Sequence, residues 1–516
     1  MSCSKIFSGD LPELTYGVIK YFQNDHSTLY SCTLINRLWC RLAIPLLWEN
    51  PFSSRTGNYN FIEIYLHSIT DDIKAKLNEY KIINNSLSSN TLFNYLKFLK
   101  YLNTFKFIIS VEKWVETAIK PSNSEYRASD IRKLINISLF KIFIENEVNL
   151  HTLEIEISGN YYYPCLNTIL GLILKNINFI HNIKNLNLYI NTSGVLKNDN
   201  NDYIFQIINL HQNLKRIFIR HNNFPIYQSL LLSKDYNCSN TLNTIIFYCV
   251  NFNSITNLNR IFERLNVLES VHIIKCTSLN NEFIQQIINS TKSFKLKSLF
   301  INELLRIESL QLLLQKFGDY LENFGYEFGF IPNPLSKQKI LELIIKYCYN
   351  IKYLDLIGND DQIIYPVLYL IESIKQNLNF LSISTSYDSN GCSSIILQNL
   401  GHHIPYKLEY LHLFLHHIKT NDFEVFLKNS QDTFIKKFLI YSIEGQDILP
   451  SIKKYILKKK RVEYLSFFIT PLYDLRGHSS DLSSFNNEVK EFGLYNIKVQ
   501  SYSSLVIRTS DFVKGN

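Results

Sequence analysis

The densest group of side chains able to do chemistry is histidine: His402-His403, His412, His416 and His417 fall within one short stretch. His412-x-x-x-His416 has the spacing of a zinc pair on a helix. The flanking sequence LEYLHLFLHH alternates apolar and polar residues, however, and therefore reads as a strand, where residues four apart are separated by about 13 Å and cannot share one ion. No metal site is expected. Gly358-Asn359-Asp360-Asp361 pairs two carboxylates between an expected strand and an expected helix, where capping the helix N-terminus is the natural role. Lys458-Lys459-Lys460-Arg461 has the composition of a nuclear-import or anion-binding patch, but it closes the expected helix SIKKYILKKK, where cations favour the C-terminal end, and it reads as a solvated helix terminus. The chain contains no H-E-x-x-H, Walker A, G-x-G-x-x-G or G-x-S-x-G sequence. No catalytic residue and no cofactor is expected, and the chain reads as a non-enzyme.

These residues need a scaffold, and the composition supplies one. Of 516 residues 46% are hydrophobic and 19% charged, enough apolar material to exclude wholesale disorder. A net charge of +8 spread over this length falls short of the basic footprint of a nucleic-acid binder. Nine cysteines, odd in number and without C-x-x-C, argue for reduced thiols over a disulfide framework or zinc ribbon, with Cys32 and Cys40 as core residues. MSCSKIFSGDLPELT lacks the apolar run of a signal peptide, and no segment reaches the 18 consecutive apolar residues of a membrane span. A soluble protein of the cytoplasm, the nucleus or both is expected, with no membrane partner.

One pattern organises most of the chain: an aliphatic residue, two variable, an apolar, one variable, an apolar. It recurs as LHTLEI from Leu150, IKNLNL from Ile183, LKRIFI from Leu214, LNTIIF from Leu242, LESVHI from Leu268, LKSLFI from Leu296 and LENFGY from Leu321. It continues as IKYLDL from Ile351, LNFLSI from Leu378, LEYLHL from Leu408, IKKFLI from Ile435, VEYLSF from Val462 and VKEFGL from Val489. Successive starts lie 25 to 33 residues apart, the period of the longer leucine-rich repeats. Each repeat predicts a short strand with two core side chains, then a return segment with helix-spaced apolar residues, as in 280–293 and 360–376. Asn191, Asn222, Cys276 and Asn359, at the ninth position, would satisfy backbone groups where the chain leaves the strand. The expected fold is an α/β solenoid, a leucine-rich-repeat horseshoe with a curved parallel sheet inside and helices outside. LNTFKFIIS from Leu102 reads as a degenerate first repeat, and Leu505-Val506-Ile507 as a last strand shielding the end of the stack.

Residues 10–52 break this pattern. Asp10 and Leu11-Pro12 predict a helix start. Leu14, Val18, Ile19 and Phe22 fall at helical spacing, and a second apolar series runs from Leu29 to Trp39. So small a unit needs its neighbour or a partner to cover its apolar face.

Leu11-Pro12-x-Leu14, Ile19, Leu29, Cys32, Leu34-Ile35-Asn36-Arg37, Trp39, Ala43 and Pro45-Leu46-Leu47-Trp48 resemble an F-box, and the downstream repeats make the whole similar to the divergent F-box/leucine-rich-repeat proteins of large fungal families. Thr15, Tyr16 and Gly17 depart from the family pattern, and only Cys276-Thr277-Ser278-Leu279 approaches its usual post-strand motif. The resemblance implies a small all-α F-box-like domain over residues 1–52, a helical linker and first repeat over 53–130, and a leucine-rich-repeat array with a C-terminal cap over 131–516. It further implies a substrate-recognition adaptor of a Skp-cullin-F-box ubiquitin ligase, partnered by a Skp-type linker protein, through it a cullin, and a protein substrate. Linker contact would fall to Leu11, Pro12, Leu14, Ile19, Ile35 and Trp39. The alternative is a leucine-rich-repeat scaffold without ligase coupling, its F-box acting only as a cap.

The template also assigns a face. Its third, fifth and seventh positions project from the sheet onto the concave side. Early repeats present Thr152, Glu154, Glu156, Asn185, Asn187, Tyr189, Arg216, Phe218 and Arg220 there. Later repeats turn aromatic, and Tyr353, Asp355, Phe380, Tyr410, His412, Phe414, Tyr441, Tyr464 and Phe468 form the expected substrate-binding stripe, because aromatic side chains give large contact area at low entropic cost.

Overall fold

The computed structural model describes residues 12–23, 25–53, 59–79, 91–118, 125–158, 163–191, 198–211, 213–220, 231–232, 239–254, 258–290, 293–386, 391–457, 461–469 and 480–514. The chain forms two compact units, Met1–Thr244 and Ile245–Asn516. Leu11, Asn222 and Lys458–Lys460, residues of interest in the sequence, lie outside the described residues.

The first unit begins with three helices, α1 (Pro12–Lys20), α2 (His26–Thr33) and α3 (Arg37–Leu47). Each boundary has a local cause. Pro12 opens α1, Asp25 caps α2 by accepting from the Thr28 amide, and Asn36 caps α3 by accepting from the Trp39 amide at 2.9 Å. Ile19, Leu29, Cys32, Trp39, Ala43 and Leu46 close a small core between them. Two shorter helices come next, α4 (Phe61–Leu66) and α5 (Asp71–Glu79). Trp48 packs edge-on against Tyr65 and lies 4.3 Å from the Tyr95 ring, and Phe52 packs against Phe107 and Phe143. The Glu49 carbonyl accepts from the amides of Lys100 and Tyr101. These contacts pack the helical segment against the elements that follow it.

The first strand, β1 (Tyr101–Asn103), runs straight into α6 (Thr104–Ala118), and α7 (Glu125–Glu145) comes after it. The match from Leu102 is therefore a strand for only its first residues. Residues 92–102, LFNYLKFLKYL, form a 3-10 turn at Tyr95–Phe98 that leads into β1. Three full strands complete the unit's parallel ladder: β2 (Thr152–Ser158), β3 (Asn185–Asn191) and β4 (Leu214–Arg220), with α8 (Tyr163–Leu174), α9 (Ile177–Asn182) and α10 (Asn198–His211) between them.

The second unit alternates strand and helix: β5 (Thr244–Tyr248), α11 (Leu258–Arg264), β6 (Ser270–Ile274), α12 (Asn281–Ile288), β7 (Lys295–Ile301), α13 (Ile307–Phe317) and β8 (Asn323–Glu327). It continues with α14 (Pro334–Tyr347), β9 (Tyr353–Asn359), α15 (Ile364–Ile374), β10 (Phe380–Thr385), α16 (Cys392–His403), β11 (Lys407–Ile418), α17 (Thr420–Asn429), β12 (Phe434–Gly445), α18 (Leu449–Ile456) and β13 (Val462–Ile469). From β6 to β13 each strand pairs in parallel with the next. Leu354, Leu356, Leu381, Leu411 and Leu413 stand at alternate positions on one face of the sheet and are fully buried, and residues between them such as Tyr353, Ser382 and Tyr410 are buried on the other face. Each unit is thus an α/β solenoid-like arrangement, and β2 to β13 coincide one for one with the twelve pattern matches from Leu150 to Val462.

After β13 come β14 (Ser480–Asp481), α19 (Asn486–Leu494), β15 (Lys498–Val499), α20 (Tyr502–Leu505) and α21 (Thr509–Lys514). The thirteenth match, VKEFGL, is helical within α19. Its first and fourth apolar positions are also helix neighbours, Phe492 is buried, and Leu494 is left 83% exposed. β15, not Leu505-Val506-Ile507, adds the last parallel strand against β13. At the strand exits Asn359 is fully buried and donates to the carbonyls of Leu356 and Ser384, and Cys276 accepts from the Val250 amide, the role expected of the ninth position.

Candidate binding faces

In the three-helix segment the expected linker residues divide. Ile19 and Trp39 are buried in the core, which corrects their assignment as contact residues: they hold α1 against α3 and are closed to a partner. Pro12, Leu14 (48% exposed) and Ile35 (51% exposed) lie open, and Val18, Tyr21, Tyr30 and Leu34 are exposed with them. Leu14, Val18 and Tyr21 recur at helical spacing along α1 and its C-terminal turn, while Leu34 and Ile35 sit in the turn between α2 and α3. The apolar material on α1 exceeds what the core takes in.

In the second unit register brings the aromatic stripe together. Tyr353, Phe380, Tyr410, Lys437 and Tyr464 are direct cross-strand partners, as are Asp355, Ser382, His412, Leu439 and Ser466. A further column stacks Phe414 on Tyr441 at 4.5 Å and Tyr441 on Phe468 at 5.1 Å. All nine residues expected at this face are therefore on it, but the face is not open. Residues 502–514 lie across it. Tyr502 packs on Tyr441 and Phe468, and its hydroxyl is hydrogen-bonded to His412 Nε2 at 2.8 Å. Leu505 joins Tyr410 and Leu439 in one apolar cluster, flanked by Phe380, Tyr464, Val506 and Ile507. The Ile507 amide donates to the Tyr410 hydroxyl, and the Phe512 ring sits 4.8 Å from both Tyr353 and Phe380. Tyr353 and Tyr410 are buried in consequence, and the stripe is corrected from an exposed surface to an occupied one. The spacing of Tyr502, Leu505-Val506-Ile507 and Phe512 was the available signal, but it obeys no strand or helix period.

Burial sets the electrostatics here. His412 is pushed down to about 4 by loss of solvent and is neutral near pH 7, with its second ring nitrogen bonded to Ser382. Burial raises the Asp355 carboxyl, against the opposing hydrogen bond from Ser382. It also raises the phenols of Tyr353, Tyr410 and Tyr502, the last to about 12.

The other residues of chemical interest have structural partners. Asp360 accepts from the Gln362 amide at the start of the turn before α15 and pairs with Lys337. Arg461 is not part of a solvated helix end: it is buried and donates to the carbonyls of Ser430 and Leu427 at the C-terminal end of α17, and burial lowers it to about 10. In the first unit Asn103 donates to Glu154 and Glu156, and Asn187 donates to Glu154, so the early positions of the face form a polar network, whereas Tyr189 and Phe218 are buried. Among the described residues no three His, Cys, Asp or Glu side chains group as metal ligands, all seven cysteines are free thiols, and no helix is long and apolar enough to cross a membrane. Comparison with protein-family models and with curated proteins finds no match.

Proposed function

We propose that this chain is a non-catalytic adaptor in the cytoplasm or nucleus: α1 to α3 act as an F-box that docks a Skp-type linker of a cullin ubiquitin ligase, and leucine-rich repeats hold a protein substrate. The observation that carries the reading is the division within the three helices. A closed core frees Leu14, Val18, Leu34 and Ile35 for a partner, while Trp48 and Phe52 fasten the segment to Tyr65 of α4 and Phe107 of α6. Both properties suit an adaptor, which must bind at one end and hold cargo at a defined distance so that proximity accelerates transfer. The fastening alone also fits the second reading, a scaffold whose helical segment only caps the repeats. The exposed apolar face favours the adaptor, because a cap has no need of it.

Co-purification with a Skp-type linker tests this. The wild-type chain is expected to form a stoichiometric complex, and Leu14→Asp with Ile35→Asp to abolish it while circular dichroism stays unchanged. No complex with the wild type at micromolar concentration would remove ligase coupling and leave the scaffold.

A further inference from the structure

We propose that residues 501–514 are a displaceable internal occupant of a peptide-binding stripe on β9 to β13, and that the cargo is a partner-protein segment of the same chemistry. This rests on the cargo-binding half of the proposed function and is independent of linker docking.

The segment's backbone–backbone bonds are local, Leu505 to Ser501, Val506 to Tyr502 and Phe512 to Arg508, and two of its amides reach side chains outside it, Tyr502 to the Asp481 carboxylate and Ile507 to the Tyr410 hydroxyl. The sheet's ladders are complete without it, since β9 to β13 pair with one another in parallel register. Its helices are one or two turns long, too short to persist alone. The segment adheres mainly through side chains: Tyr502 and Phe512 enter the stripe ten residues apart, bracketing the Leu505 contact, and polar contacts to His412, Tyr410 and Asp481 fix the register. This is how a protein face binds a short peptide, with aromatic and aliphatic anchors in apolar pockets and a few polar groups for orientation. Lifting it breaks no strand pairing, so it belongs at the low-stability end of local opening. A ligand segment that replaces it presents an aromatic residue with a hydrogen-bonding tip toward His412, an aliphatic residue over Tyr410 and Leu439, and a second aromatic between Tyr353 and Phe380. Burial of Tyr353, Tyr410 and Leu439 disfavours charged residues at these three positions.

Two measurements test this, both on the full chain and neither needing a linker. By native-state hydrogen exchange, amides of 502–514 are expected to exchange at least about 100-fold faster than those of β11 and β12. Equal protection would make the segment a fixed part of the fold and overturn the proposal. Next, a fluorescent peptide with the sequence of residues 501–514 is titrated into the wild-type chain and into Tyr502→Ala with Phe512→Ala, whose own segment is weakened. Binding at least tenfold tighter to the folded variant, and absent for a scrambled peptide, is expected. Equal affinity for both chains, or no binding to the folded variant, would overturn the proposal. Should the variant not fold, the exchange rates of the wild type decide alone.

Discussion

The aromatic stripe and the helical face of the first unit are built from the same class of side chain and meet opposite fates. Tyr353, Phe380 and Tyr410 are covered by Tyr502, Leu505 and Phe512, whereas Leu14, Val18, Leu34 and Ile35 meet solvent. Apolar composition therefore does not say which surface is free. What decides is whether the chain supplies a segment long enough to reach and chemically matched to stay. The stripe has one; α1 and α2 leave apolar side chains exposed.

The sharpest break in this contrast is Tyr410→Ala. It removes a fully buried ring that supports Leu505 and bonds Ile507, and should cost about 3 to 5 kcal/mol in urea unfolding of the second unit. A loss below about 1 kcal/mol would mean the stripe is effectively open. A matched pair comes next: Ile19→Ala should cost about 2 to 4 kcal/mol, while Leu14→Ala, on the same helix but exposed, should stay within about 0.5 kcal/mol. Similar costs for both would erase the division between core and exposed residues. The smallest effect is in pH. His412 lies near 4 when folded and near 6.5 when unfolded, so the unfolded state binds more protons between these values. Its stabilising contribution is complete above pH 6.5 and is lost as pH falls toward 4, amounting to about 2 kcal/mol between pH 7 and 5. The groups around it, Ser382, Tyr410 and Tyr502, do not titrate there, and the raised Asp355 carboxyl works in the opposite direction. His412→Gln should flatten the profile relative to wild type, as measured by urea midpoints at several pH values.

The strands were the legible part of this molecule. From Leu150 to Val462 the pattern places two inward side chains at alternate positions, as a strand does, and its regular recurrence let β2 to β13 be located from their residues. VKEFGL misled because its Val489 and Phe492 satisfy a helix as well, and nothing local separates the two until Leu494 is seen in solvent. Arg461 misled because a basic run looks the same whether its last member faces water or the carbonyls of a neighbouring helix. The columns of the stripe came from register, but its cover did not. Contact between Tyr502 and residues 34 to 90 positions earlier is a tertiary fact, with no period in the sequence to announce it.

The bridging segment also fixes how this protein can change its length. Repeat arrays evolve by duplicating or losing whole repeats, since each added strand makes its own pairing. Tyr502 is anchored across β11 to β13 and Phe512 on β9 and β10, at a span set by the intervening chain. Inserting one repeat between β10 and β11 would move those anchors apart by one strand spacing, about 4.8 Å. Duplication is then penalised inside this block, which makes β9 to β13 a ruler whose number of divisions residues 502–514 hold constant.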